Sequence, residues 1–249
     1  MRSYAIGDIH GQLGRLKEAH DRIATDKARC GDPDAPVLHL GDLVDRGPDA
    51  RGVIDYLLAR ARAGEHDIVL LGNHDQMMRD FLVPQRWYAR GDQTGRWLQP
   101  GIGGRETLRS YGVDVSLARR SRAIRKDALE AVPQSHRAFL CRRPTSHFVG
   151  EVFFCHAGVR PGVALNRQEE RDLLWIRDEF LFDTGDHGAL IVHGHTPVEA
   201  VTHYGNRLNI DTGAGYDGPL SAVVIEGREV WLLTGSGRLP VAPGALAPF

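Results

Sequence analysis

The chain has 249 residues, of which 42% are hydrophobic and 25% are charged, and its formal net charge is −1. This composition indicates a globular protein with a large core. The balanced charge argues against a nucleic-acid partner, because nucleic-acid-binding proteins usually carry a basic excess. No apolar run reaches the roughly 18 residues of a membrane-spanning helix, and no secretory signal precedes the first predicted strand. Three cysteines without a C-x-x-C pair predict free thiols, so we expect a cytoplasmic protein without a membrane partner.

Short apolar runs alternate with helical patterns in the first third of the chain. The runs "SYAI", "VLHL" and "DIVLL" predict buried strands at residues 3–6, 37–40 and 67–71. Helices are predicted after them in "LGRLKEAHDRI", in "GVIDYLLARARAG" and in "QMMRDFL". This β-α-β-α-β order predicts parallel or mixed strand pairing.

The segment from about Pro84 to Pro144 has a different pattern, with Trp87, Trp97, "QPGIGG" and a basic run. We interpret it as an insert of short helices and loops, residues 84–144, that shapes the groove of a functional site. The basic run "RRSRAIRK" (residues 119–126) predicts a solvated helix face rather than a binding surface.

A second apolar phase follows the insert. The runs "EVFFC", "ALIV" and "RLNI" predict strands, and "SAVVIEGREVWLLT" predicts a hairpin that turns near Glu226 to Arg228. The Pro/Gly-rich end "GRLPVAPGALAPF" is predicted to be loosely held. We therefore expect one domain over residues 1–240 and a flexible tail over residues 241–249.

Polar residues follow six of the predicted strands, at the point where each strand ends. They are Asp8 and His10, then Asp42, Asp45 and Arg46, then Asn73, His74 and Asp75, then His156 and Arg160, then His193 and His195, and finally Asp211 and Tyr216. Carboxyl ends of strands joined by crossovers share one edge of a sheet, where ligand sites form. The sequence therefore predicts that these side chains converge.

The donor types indicate which metals such a site would hold. Aspartate, asparagine and histidine suit Mn²⁺, Fe²⁺ or Zn²⁺ and exclude a soft, thiolate-rich site. Two metals bridged by a carboxylate would lie about 3.5–4 Å apart and share an activated hydroxide.

In order, the motifs "GDIHG", "GDLVDRG", "GNHD", "HAG" and "HGHT" resemble the calcineurin-like metallophosphoesterases. Within them, the chain is most similar to the phosphoprotein phosphatase family, and there to the small bacterial and bacteriophage serine/threonine phosphatases. The resemblance runs from Gly7 to about Gly218 and includes "GNHDQMM", "DLLWIRDEF" and "IDTGA". It implies an α/β (α+β) four-layer fold, with a central β-sandwich of mixed sheets between helices. A dinuclear metal site is expected at the carboxyl ends of the strands.

The resemblance also implies a role for each motif residue. One metal would be held by Asp8, His10 and Asp42, and the second by Asp42, Asn73, His156 and His195, with Asp42 as the bridge. Only the second histidine of "HGHT" is a ligand in the family, so His193 is not assigned. His74, held by Asp45, is implied as the general acid, and Arg46 and Arg177 as the phosphate clamp. Tyr216, Asn73 and Arg160 are further candidates for substrate contact.

Three of these assignments have structural alternatives. Asp45 could be only a salt-bridge partner of Arg46, Arg177 could form a surface ion pair with Asp178 or Glu179, and Arg160 could simply stabilise its own loop.

The implied activity is hydrolysis of phosphomonoesters by in-line attack of a hydroxide that bridges two divalent metals. Manganese is the expected metal, with iron or zinc as alternatives. A phosphoserine or phosphothreonine protein is the expected substrate, with tolerance of phosphotyrosine or a small phosphoester.

Other functions share part of the pattern. A symmetrical diadenosine tetraphosphatase has nearly all of the motifs but typically replaces the second aspartate of "GDLVDRG", which is present here as Asp45. A polynucleotide-end phosphatase is another alternative. A non-catalytic metal-binding or regulatory protein should have lost ligands or the acid, and this sequence retains all of them.

Overall fold

The computed structural model describes residues 1–83 and 91–244, with the backbone alone for residues 91–94. Within these ranges the strands are β1 Arg2–Ile6, β2 Val37–His39, β3 Asp67–Val69, β4 Ser146–Val149, β5 Val152–Cys155, β6 Leu190–His193, β7 Thr202–His203, β8 Arg207–Asn209, β9 Ala222–Glu226, β10 Glu229–Thr234 and β11 Gly237–Pro240. The α-helices are α1 Leu13–Cys30, α2 Ala50–Arg62, α3 Asn73–Leu82, α4 Gly104–Ser110, α5 Ser121–Ala131, α6 Gln134–Cys141, α7 Glu170–Trp175 and α8 Asp178–Leu181. Short 3₁₀ helices cover Gly91–Leu98, Leu165–Arg167 and Ala214–Tyr216.

The strands form two mixed sheets, which confirms the predicted fold class. The first has the order β11-β10-β9-β1-β2-β3, and the second β4-β5-β6-β8-β7. Parallel pairing joins β1 to β2 and β2 to β3 in the first sheet. It also joins β5 to β6 and β6 to β8 in the second. All six strands predicted to carry polar residues at their ends therefore belong to these two parallel sets.

Alternation of side chains along the strands builds four layers. In β1, Tyr4 and Ile6 pack into the cluster that contains residues of α1 and α2, whereas Ala5 faces the second sheet. In β5, Phe154 packs between the sheets, and Phe153 faces the outer cluster with residues of α7 and α8. The order of layers is thus helices, first sheet, second sheet and short helices.

The predicted hairpin is confirmed, since β9 and β10 pair around a turn at Gly227. The prediction of a loosely held chain end is wrong for residues 237–240. They form β11, which pairs with β10 and carries Arg238. The Arg238 guanidinium donates to Asp26 on α1 and to Glu226, so charge pairing fastens this edge strand where apolar periodicity gave no signal.

The end of the chain continues this contact for a few residues. Val241 and Gly244 also donate backbone hydrogen bonds, to Val230 and His203. Residues 245–249 of the predicted tail lie outside the described residues.

The described part of the insert consists of short helices and turns, as predicted. Helix α5 contains most of the basic run, and it buries Ile124 and Ala128 while most of its basic side chains stay at least partly exposed. The start of the insert, with Trp87, lies outside the described residues. Cys30, Cys141 and Cys155 are free thiols, as expected. Among the described helices, we find none with the length and hydropathy needed to cross a membrane.

Candidate metal centre

The loops that follow the parallel strands of both sheets meet at one edge of the sandwich. The Asp42 carboxylate accepts a hydrogen bond of 2.9 Å from the His74 backbone N–H. The Asp8 carboxylate accepts one of 3.1 Å from the His195 backbone N–H. Because Asp8 follows the first sheet's β1 and His195 follows the second sheet's β6, the site lies across the junction between the sheets.

A first group of potential ligands contains His10, Asp42 and His74, whose ligand atoms lie within 4.8 Å of one another. His10 places Nδ1 2.9 Å from the Val44 carbonyl oxygen, so Nε2 is the nitrogen that faces the site. That Nε2 lies 3.6 Å from Oδ2 of Asp42. A backbone carbonyl partner of this kind typically fixes the tautomer of a metal-binding histidine.

The second group contains Asp42, His156 and His195, again within 4.8 Å. His156 Nε2 lies 3.4 Å from Oδ1 of Asp42, and its Nδ1 lies 3.0 Å from the Leu40 carbonyl oxygen. Oδ1 of Asn73 lies 2.8 Å from His156 Nε2 and 2.9 Å from His195 Nδ1. Asp42 is therefore common to both groups, as the bridging role requires.

Three buried polar atoms at this edge have no hydrogen-bond partner: Oδ1 of Asp8, Nε2 of His195 and Nε of Arg46. Buried polar atoms are almost always paired in folded proteins. A carboxylate oxygen and an imidazole nitrogen are donor types that a divalent cation binds. The residues present therefore fit the expected metals.

The charge states support the same reading. Burial, together with the Asp211 and Asp42 carboxylates, raises the pKa of Asp8. Burial lowers the pKa of His10 to about 3 and that of His195 to about 2, so both imidazoles are neutral and able to ligate. Burial alone would raise the pKa of Asp42, but the surrounding imidazoles, His156 foremost, lower it overall.

The backbone of this edge is strained. Among the described residues, six non-glycine residues have a positive φ, and five of them belong to the predicted site. They are His10, Asp42, Asp45, Arg46 and His195. Left-handed backbone is uncommon for side chains other than glycine, and it concentrates at functional sites where the surrounding structure enforces it.

Gly72 shows why glycine accompanies these ligands. A Cβ atom at this position would lie 2.1 Å from the backbone nitrogen of Asp42 and 2.2 Å from its Oδ1. The loop that ends β3 can approach the Asp42 carboxylate only because residue 72 has no side chain.

His74 and Asp45 form a close polar contact, with 2.6 Å between Nδ1 and Oδ2. Burial lowers the pKa of His74, but the Asp42 and Asp45 carboxylates raise it, and the net change is an increase. Burial also raises the pKa of Asp45. Asp45 further contacts Trp97 and Thr107 of the insert, two residues to which sequence reasoning gave no role.

The Arg46 guanidinium contacts both histidines of the first group. Its Nη2 is 3.2 Å from His74 Nε2, and its Nη1 contacts His10 Nε2. On its other side the guanidinium carbon is 4.3 Å from the centre of the Tyr216 ring. Tyr216 is 62% exposed, and its substrate-side role stays a prediction.

A cavity of about 270 Å³ opens beside these residues. The residues that line it include Arg46, Asn73, His74, Arg96, Trp175 and Arg177. Arg177 Nη1 donates to the Thr196 hydroxyl at 3.3 Å. Within residues 91–244, Arg177 has no ion pair with Asp178 or Glu179, so the structure brings it to the cavity and not to the alternative contact.

Two further motif residues lie apart from this cavity. The Arg160 guanidinium donates to Asp172 at 2.7 and 2.8 Å and to Glu179 at 2.7 Å. It is absent from the cavity lining, so the structure does not bring it to the other candidate substrate residues. His193 is fully buried beside Arg207, outside both ligand groups, in agreement with its exclusion from the predicted ligands.

Comparison with known proteins agrees with the geometry. The family model for calcineurin-like phosphoesterases matches residues 1–224. An asymmetrical bis(5'-nucleosyl)-tetraphosphatase PrpE from Anoxybacillus flavithermus is 26% identical over 245 residues, covering 88% of each chain. A protein of that name from Bacillus thuringiensis is 25% identical over the full length of both chains.

Solved structures show the same fold. A proposed diadenosine tetraphosphatase is similar over 98% of this chain and 95% of its own, with a TM-score of 0.62 and 20% identity. A cold-active protein-tyrosine phosphatase from a Shewanella species is similar over 97% of this chain and 80% of its own, with a TM-score of 0.55 and 16% identity.

Proposed function

Because the chain belongs to the calcineurin-like phosphoesterase family, we propose that it is a metal-dependent phosphomonoesterase that acts on phosphoserine and phosphothreonine in proteins. The observation that carries this proposal is the buried His74–Asp45 pair beside the two ligand groups. An alkoxide is a very basic leaving group and needs a proton donor in the transition state. A protonated imidazole held by a carboxylate supplies that proton.

Asp8, His10 and Asp42 would hold one divalent cation, and Asp42, Asn73, His156 and His195 would hold the other. Bound cations of this kind supply Lewis-acid neutralisation of phosphate charge and a hydroxide nucleophile at neutral pH. Manganese is the expected metal, since oxygen and imidazole donors without thiolate suit it. The cytoplasm is the expected compartment.

Arg46 and Arg177 are the proposed phosphate clamp. Both guanidinium groups line the cavity, and guanidinium forks bind phosphate oxygens in pairs. Arg46 Nη1 contacts His10 Nε2, the atom through which His10 would ligate. Ligation by His10 therefore requires this contact to open, which frees Arg46 to donate to substrate oxygens.

His74 Nε2 is the atom proposed to protonate the leaving oxygen. Its Nδ1 is engaged by Asp45, and the ring lines the cavity. Asp45 holds the ring in one tautomer and stabilises its charged form. Such general acid catalysis contributes typically about 10²–10⁴ in rate.

A second candidate function is hydrolysis of dinucleoside tetraphosphates, the activity in the names of the curated relatives. The indole of Trp175 lines the cavity and is 40% exposed, and Arg96 adds a third guanidinium. An exposed ring beside several cations suits a base attached to a polyphosphate.

A substrate panel at equal enzyme concentration separates the two. We expect the manganese-loaded protein to release phosphate from p-nitrophenyl phosphate and from a phosphothreonine peptide. Faster turnover of diadenosine tetraphosphate, with little release from the peptide, would favour the second candidate. Absence of activity on every substrate, in protein that contains two metals per chain, would refute both.

A further inference from the structure

The Asp45 carboxylate receives hydrogen bonds from three directions while fully buried. His74 approaches Oδ2 at 2.6 Å. The Trp97 indole N–H lies 2.9 Å from Oδ2 and 3.0 Å from Oδ1, and the Thr107 hydroxyl donates to Oδ1 at 2.7 Å. Trp97 and Thr107 are also buried, at 1% and 0% exposure, so water does not compete for these contacts.

Thr107 also fixes the backbone of Asp45. Its hydroxyl oxygen accepts a hydrogen bond of 2.8 Å from the Asp45 backbone N–H while its hydroxyl hydrogen is donated to the Asp45 carboxylate. This closed ring ties the side chain of Asp45 to its own main chain, which has a φ of +73°. The carboxylate cannot rotate away from His74 without breaking a buried hydrogen bond.

Trp97 connects the same carboxylate to the helix that carries His74. The Trp97 ring packs against Phe81, near the end of α3, with 5.0 Å between ring centres. His74 lies in the first turn of α3. The indole therefore holds Asp45 and the helix of its partner in fixed relation.

The insert fits closely around this loop. A Cβ atom at Gly103, whose φ is +108°, would lie 2.3 Å from the backbone nitrogen of Arg46 and 2.7 Å from Cβ of Asp45. The segment between Trp97 and Thr107 can reach Asp45 only with glycine at this position.

We propose that Trp97 and Thr107 are positioning residues for the general acid: they hold Asp45 so that His74 presents Nε2 to the leaving group. The inference rests on the proposed role of His74. It gives the insert a part in the reaction, because the insert supplies two of the three side chains that fix Asp45. If their role were purely structural, both residues would contribute only to the packing of the core.

The test compares Thr107→Val with Tyr111→Phe. The first removes the hydroxyl that bonds Asp45, and the second removes a buried hydroxyl of the insert that contacts His136 at 2.9 Å. We expect Thr107→Val to lower kcat on a phosphoserine peptide by about tenfold or more, a part of the general-acid contribution. On p-nitrophenyl phosphate, whose leaving group needs little protonation, kcat should fall less than about threefold, and KM should be unchanged.

Thr107→Ser should restore the peptide activity, and Trp97→Phe should repeat the selective loss if Thr107→Val does not fold. Equal losses on both substrates, or identical behaviour of Thr107→Val and Tyr111→Phe, would overturn the proposal.

A measurement without turnover separates this inference from the proposed function. In protein loaded with diamagnetic Zn²⁺ in place of paramagnetic Mn²⁺, the proton between His74 Nδ1 and Asp45 should give a low-field NMR signal. Thr107→Val should shift or broaden this signal, and Tyr111→Phe should leave it in place. If the wild type hydrolyses no phosphoester yet the signal responds as expected, the proposed function fails while the positioning role stands. An unchanged signal in Thr107→Val contradicts the positioning role itself.

Discussion

Nδ1 of His74 lies 2.6 Å from Oδ2 of Asp45, although the two residues are 29 positions apart in the chain. If His74 is the acid, His74→Asn should lower kcat on alkyl phosphates by about 10²–10⁴. Aryl phosphates should lose much less, because p-nitrophenolate leaves without a proton. Parallel assays of a phosphothreonine peptide and p-nitrophenyl phosphate measure the difference. A uniform loss would point to a binding role.

The shared position of Asp42 leads to an expectation about metal content. Asp42→Asn and His156→Asn should abolish turnover of p-nitrophenyl phosphate and reduce the metal retained per chain. The wild type should also melt at a higher temperature when manganese is added, since a ligand that binds only the folded state stabilises it. Asp42→Asn should lose most of that increase. His66→Asn, at an exposed position outside the motifs, is the control and should keep both properties.

Tyr216 stacks against Arg46, so its ring would help to hold the guanidinium of the proposed phosphate clamp. An exposed cation–π contact contributes about 0.5–1 kcal/mol. Tyr216→Ala should therefore raise KM about two- to fivefold, with a smaller effect on kcat. Tyr216→Phe keeps the ring and should behave like the wild type. A large loss in Tyr216→Phe would instead assign a role to the hydroxyl.

Substitution of Arg160 tests whether this residue binds substrate or only stabilises its own loop. Its guanidinium is bound by Asp172 and Glu179, so Arg160→Gln should leave KM for phosphate esters unchanged and should lower thermal stability only slightly. Arg177→Gln is the comparison, since Arg177 lines the cavity, and it should raise KM clearly. An equal rise in KM for Arg160→Gln would indicate that Arg160 contacts the substrate after all.

The contact between Arg238 and Asp26 predicts a pH dependence of stability. Burial alone would raise the pKa of Asp26, but hydrogen bonds from Arg238, Tyr4 and Arg29 lower it overall. A lowered pKa in the folded state contributes stability above the unfolded value of about 3.9, and this contribution is lost as the pH falls through the folded value.

Arg238→Gln should therefore lower the free energy of unfolding near neutral pH by about 2–4 kcal/mol. It should also flatten the loss of stability in acid, and urea unfolding over a range of pH measures both effects. Arg228→Gln, which removes a surface pair with Glu151 at 3.7 Å, is the control and should change stability by less than about 1 kcal/mol. Equal pH profiles for Arg238→Gln and the wild type would contradict the argument.

The parts of the fold and site that could be predicted from sequence are those with local signals. Strands such as β1 and β5 have apolar runs of the right length, and the candidate ligands follow them directly, so topology alone places Asp8 and His156 at the ends of strands of the two sheets. Short edge strands such as β7 and β11 have no such run. Arg238 holds β11 through an ion pair with Asp26, which lies 212 positions away in the chain. A contact of this kind leaves no periodic pattern in the sequence.

Trp97 and Thr107 were missed for a related reason. Their partner, Asp45, lies 52 and 62 positions earlier in the chain, and the segment around them is irregular. Trp97 was noticed only as an aromatic residue of the insert. The strongest local signal is the glycine-rich "GIGG" between them. It indicates that the backbone packs closely against another segment, but it does not identify that segment.

The candidate ligands come from both sheets of the sandwich, so neither sheet alone contains the complete candidate metal centre. Asp8, Asp42 and Asn73 follow strands of the first sheet, and His156 and His195 follow strands of the second. A small shift of one sheet relative to the other would separate the candidate ligands without unfolding either sheet. We therefore expect catalytic activity to be lost some degrees below the melting temperature. A disulfide engineered between the two sheets, away from this edge, should reduce the difference between these two temperatures.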